Sequence, residues 1–144
     1  MFARHKGDGA TARLVEVEHT ADLELAITAE TLADLFAGAA LGFANAVAGG
    51  GRSAAETPRT LDVESDDLEA LLVDWLNALV TENESDGFLP SSLRVTVAPP
   101  AKLTAEMEGA TGVEPDLHVK AATYHNLSVE RTGDLWRATV VLDV

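Results

Sequence analysis

Two carboxylates and an imidazole, Glu18, His19 and Asp22, fall within one five-residue stretch between two runs of alternating apolar and polar residues. Carboxylates and imidazoles bind cations and exchange protons, so the group is a candidate for metal binding or acid–base chemistry. Solvated turns between strands hold similar residues, and the stretch alone does not separate the two. A second set lies at the end of the sequence, where Asp143 is penultimate and Val144 carries an α-carboxylate. If the final strand lies beside residues 18–22, then Asp22, Asp143 and the Val144 terminus converge. Three such groups repel one another unless protons or a cation neutralise them. Hard oxygen donors of this kind suit calcium, magnesium or manganese better than zinc. The alternative is a terminus standing in solvent, and on pattern alone that is the commoner outcome.

A third group runs from Lys120 through Thr123 and Tyr124 to His125, offering a cation, a hydroxyl, a phenol and an imidazole. General-base or phosphate-binding chemistry could use it. A surface lysine and a hydrogen-bonded histidine at a strand bend is the plainer reading. His5 and His118 have no evident partners. Ser53, Ser65 and Ser91 lack the context of a nucleophile elbow. Gly49, Gly50 and Gly51 are not followed by Gly-Lys-Ser/Thr, so they read as a connector rather than a phosphate loop.

Strands and helices must position these groups. Alternation predicts strands over residues 13–18 and 23–29. Thr31 is placed to cap a helix, with Asp34 three residues on, and Leu32, Leu35, Phe36, Ala39, Phe43 and Val47 recur at helical spacing. The three glycines stop that helix. A short strand is expected over 60–64. Ser65 is expected to cap a second helix with the stripe Leu68, Leu71, Leu72, Trp75, Leu76 and Leu79. Strand patterns follow over 93–97, 103–107, 118–123, 124–130 and 135–143, with a glycine-containing hairpin turn at 131–134. The order implies an α+β single domain, a mostly antiparallel or mixed β-sheet with two amphipathic helices packed on it. Residues 1–12 read as a flexible N-terminal lead-in and 13–144 as the domain.

The chain has 144 residues, 47% of them hydrophobic, enough for one domain with a substantial core. Its formal net charge of −14 argues against a direct nucleic-acid binder or an anionic-membrane partner and fits cation binding or docking on a basic protein surface. Arg52 and Arg59 are too scattered to form a nucleic-acid footprint. Without cysteine there is no disulfide, thiolate metal site or cysteine nucleophile. No apolar run is long enough for a membrane span, and residues 1–10 lack the apolar segment of a secretory signal, so the expected location is cytoplasmic.

Taken together, the stretches resemble the archease family. The resemblance rests on residues 18–22, on the helix beginning Thr31-Leu32, on residues 67–77, on residues 119–127 and on the ending Leu142-Asp143-Val144, all in the same order and spacing. It implies a protein cofactor, not itself an enzyme, of the RtcB-type RNA ligase that acts in tRNA splicing and RNA repair. Such a cofactor promotes guanylylation of the ligase and its multiple turnover, and it meets RNA only through the ligase. The family's metal site maps onto Asp22, Asp143 and Val144, with calcium as the ion. His19, Lys120 and His125 lie in family motifs as supporting or partner-contacting residues. Asn126 stands where glycine is common, and asparagine also adopts the left-handed conformation. Two other readings remain: a stand-alone metal-dependent phosphoester hydrolase using the same carboxylates, and a chaperone or modulator of RNA-modifying enzymes acting through its surface.

Overall fold

A computed structural model describes residues 2–5, 10–16, 22–49 and 57–144, with side chains for 22–49 and 57–144. The elements in order are β1 (Phe2–His5), β2 (Ala10–Glu16), β3 (Asp22–Ala29), α1 (Leu32–Ala48), β4 (Thr57–Glu64), α2 (Leu68–Asp86), β5 (Leu89–Ala98), β6 (Lys102–Ala110), β7 (Ala121–Thr132) and β8 (Leu135–Asp143). The architecture is α+β, as the order of patterns implies. Its strands divide into two four-stranded sheets, β1-β5-β6-β4 and β2-β3-β8-β7, with every pairing antiparallel. Residues 2–5 and 10–12, in the segment expected as a lead-in, belong to β1 and β2.

Both helices touch both sheets. α1 meets β1 and β5 of one and β2, β3 and β8 of the other, while α2 meets β4, β5 and β6 on one side and β7 on the other. This explains why α1 is buried almost all round, from Ala33 through Ala48 with Asp34 half-buried and Asn45 exposed. Its alanines and glycines leave little side chain between backbone and sheet, so both layers close onto it, while Leu35, Phe36 and Phe43 fill the remaining space. Burying one such large side chain stabilises the fold by roughly 1.5–3 kcal/mol. The helices are joined by a buried hydrogen bond, in which the Trp75 indole N–H donates to the Phe36 carbonyl at 3.0 Å.

Thr31 caps α1 as its type and position predict, its hydroxyl accepting from the Asp34 N–H at 3.1 Å, and left-handed Gly49 ends the helix. The cap of α2 differs from the expectation. Asp67, not Ser65, accepts from the Ala70 N–H, at 2.7 Å. The Ser65 N–H is still tied to the Ala101 carbonyl, so the chain has not yet left the β4–β6 pair, and the Ser65 hydroxyl donates to Asp74 at 2.6 Å. β7 is one strand through residues 121–132, and His118, expected within a strand, precedes it. Gly50 and Gly51 lie outside the described residues.

Candidate metal centre

Alternation decides where the carboxylates point. On β8, Ala138, Val140 and Leu142 are buried in the core, so Asp143 must turn to the other face of the sheet. On β3, Leu25, Ile27 and Ala29 turn inward, which sends Asp22 and Glu24 outward. The antiparallel register then sets Asp22 directly opposite Asp143. Side chains paired this way share a face, with Cβ atoms about 4.5–5.5 Å apart. Both aspartates are half-buried, and Val141 on the same outer face is only 2% exposed. Val144 follows Asp143 and packs against the core.

β7 lies on the other side of Asp143. Ala121 is its cross-strand partner, and the Lys120 N–H donates to the Asp143 carbonyl at 2.7 Å. The Lys120 side chain is exposed. Farther along, Thr123 faces Val141 and Ser128 faces Thr139, so residues 124–127 oppose Val140 alone. The strand bulges there. Asn126 takes a left-handed φ of 53°, the conformation its type allows, and its carbonyl accepts from the Thr139 hydroxyl at 2.9 Å. The bulge carries His125, exposed, and Tyr124, 62% exposed. The structure thus brings Asp22, Asp143, Val144 and the Lys120 backbone together, whereas His125 sits farther along, in the bulge opposite Val140, whose partner on β3 is Leu25. Glu18 and His19 lie outside the described residues.

Among the described residues no group of three or more His, Cys, Asp or Glu side chains is arranged to hold a metal. Among the described residues the side-chain carboxylates paired at this strand end are Asp22 and Asp143. Two facing carboxylates suit a hard divalent cation, since like charges directly opposite in a sheet are destabilising and a cation offsets them.

Two residues matter in ways their sequence context does not advertise. Arg59 is a tether from β4 to α2, bonding Glu82 at 2.8 Å and Asp86 at 2.7 and 3.0 Å while its guanidinium lies 4.3 Å from the Phe88 ring centre. The bond to Asp86 raises the Arg59 pKa above its ordinary value, against burial, and Arg59 in turn holds the Asp86 carboxyl below the usual range. Asn77 of α2 reaches the start of β7. Its amide oxygen accepts from the Ala122 N–H at 2.8 Å, and its amide nitrogen donates to the Ala122 carbonyl at 3.3 Å. A polar residue in a helix rich in leucine was the one signal for it.

Fold and site define a class of protein: a small α+β chain whose helices lie between two antiparallel sheets and whose acidic side chains meet at paired strand ends. A family model described as "Archease protein family (MTH1598/TM1083)" matches residues 15–144. Protein archease of Methanosarcina acetivorans is 35% identical over 136 residues, covering 89% of this chain and 93% of that one. Protein archease of Methanopyrus kandleri is 34% identical over 142 residues, covering 90% and 97%. Among solved structures, protein 1598 of Methanobacterium thermoautotrophicum superposes with a TM-score of 0.77 at 25% identity, covering 94% of this chain and 99% of that one. A Thermotoga maritima archease shares the fold at 0.67. The chain belongs to the archease family. Archeases are non-catalytic protein cofactors of the RtcB-type RNA ligase, and membership gives this chain that general role. No helix among the described residues is long and apolar enough to cross a membrane.

Proposed function

We propose that this chain activates an RtcB-type ligase of tRNA splicing and RNA repair through a divalent cation, foremost calcium, held by Asp22, Asp143 and the Val144 carboxylate. The observation that carries the reading is the β3–β8 register, which makes Asp22 and Asp143 partners. The cation would supply positive charge at a surface that is otherwise acidic, a charge suited to ordering phosphate oxygens during guanylylation of the ligase. The chain's own residues do the rest. Asp22 and Asp143 would hold the cation at the paired ends of β3 and β8. A net charge of −14 favours docking on a basic protein surface and disfavours direct RNA contact. Lys120, just before β7, and His125, on its bulge, are exposed and so open to contact with the ligase, and His19 belongs to the segment leading into Asp22. The setting for this role is the cytoplasm.

Guanylylation and multiple-turnover assays of a cognate ligase test the reading. Asp22→Ala and Asp143→Ala should abolish stimulation while leaving the chain folded. Stimulation unchanged in both variants overturns it and points instead to a surface acting as a general chaperone or modulator. Phosphoester turnover by the purified chain alone would favour a hydrolase.

A further inference from the structure

The geometry points to Asn77 as a positioning residue for the acidic strand end, a role in which it holds β7 so that residues 120 and 121 brace Asp143. This rests on the metal reading only for its effect on cation affinity. Among the described residues β7 is the edge of its sheet, with β8 as its one strand neighbour. An edge strand leaves main-chain groups without a ladder partner, and such groups are satisfied by cover or left to water. At Ala122 the cover is Asn77. Its side chain accepts the Ala122 N–H at 2.8 Å and donates to the Ala122 carbonyl at 3.3 Å, much as a neighbouring strand would.

Ala122 is the second residue of β7 and turns its methyl into the core, 5% exposed. Immediately before it, Ala121 pairs with Asp143, and the Lys120 N–H donates to the Asp143 carbonyl at 2.7 Å. Beyond it, Thr123 donates its hydroxyl to the Val141 carbonyl at 3.0 Å, and regular pairing then breaks until Ser128. The regular segment that braces Asp143 is therefore short, bounded by a loop on one side and the bulge on the other. Asn77 clamps its middle from α2, whose apolar side is packed in the core. Residues that orient ligands without touching the metal commonly change affinity 10–100-fold when removed.

Amide hydrogen exchange and calcium titration of the full chain test this. In Asn77→Ala, exchange at Lys120 and Ala122 should accelerate relative to the β5–β6 core, and calcium affinity should fall roughly tenfold. Asn77→Asp keeps an acceptor for the Ala122 N–H and should retain more protection than Asn77→Ala, which covers the case in which alanine unfolds the chain. Arg59→Met, which loosens α2 against the other sheet, is the control for general destabilisation and should leave calcium affinity unchanged. Unaltered protection at Lys120 in both Asn77 variants overturns the inference whatever the calcium result. Faster exchange with undiminished calcium binding overturns the link from Asn77 to the cation site. An intact chain that binds no calcium defeats the metal reading instead, and the exchange comparison still decides whether Asn77 braces Asp143.

Discussion

Asp22 and Asp143 are cross-strand partners on the outer face of the β3–β8 pair. Two like charges so placed raise the free energy of the folded chain unless something neutralises them. Calcium binding should therefore appear as folded-state stabilisation. With calcium at 100 times its dissociation constant, unfolding should cost about 2.7 kcal/mol more than in chelator. Asp143→Asn should lose that increment. Calorimetry with and without chelator reads it, and an equal calcium shift in the variant would remove Asp143 from the site.

In the proposed site Val144 would supply a third donor through its main-chain carboxylate. Adding one glycine after Val144 moves the carboxylate a residue away without altering any side chain. Calcium-linked stabilisation should be lost, while stability in chelator stays within about 0.5 kcal/mol. Undiminished linkage would leave Asp22 and Asp143 as the only ligands from this strand end.

Arg59 should make stability depend on acid. Arg59 holds the Asp86 carboxyl below its ordinary 3.8, so the pair stabilises the fold above that value and loses its contribution as pH falls through the lowered one. Arg59 itself, its pKa raised, stays protonated throughout. Arg59→Met should melt at lower temperature near neutrality, and its deficit against the intact chain should narrow below about pH 4. A deficit independent of pH would assign the loss to contacts with Phe88 instead.

Trp75 tests the contact between the two helices apart from the site. Trp75→Phe keeps an aromatic ring and removes the donor to the Phe36 carbonyl. Urea unfolding should show a loss of about 1–3 kcal/mol. Calcium affinity should not change, since the bond joins α1 to α2 and touches neither aspartate.

Local chemistry was legible in the sequence. Thr31 reads as a cap because its hydroxyl can satisfy a free N–H of the first turn, and Asn126 suits a left-handed position because few residue types enter that region. The faces of β8 were legible for the same local reason, since side chains alternate along any strand. Ser65 reads equally well as a cap, but it lost that role to Asp67 because a main-chain bond to Ala101 holds it in the sheet. Arg59 looks like a stray cation until Glu82, Asp86 and Phe88 surround it.

By itself the sequence determined what each segment would bury and which groups could bind a cation, because spacing and residue type carry that information within a few residues. It also carried the archease resemblance, through motifs in a fixed order. Only the tertiary structure decided that the strands form two sheets around the helices and that Asp22 faces Asp143 across more than a hundred residues of chain. Register between distant strands is set by packing both apolar faces at once, and no local pattern contains it. The same is true of Asn77, whose amide finds Ala122 only when α2 lies along the open edge of β7.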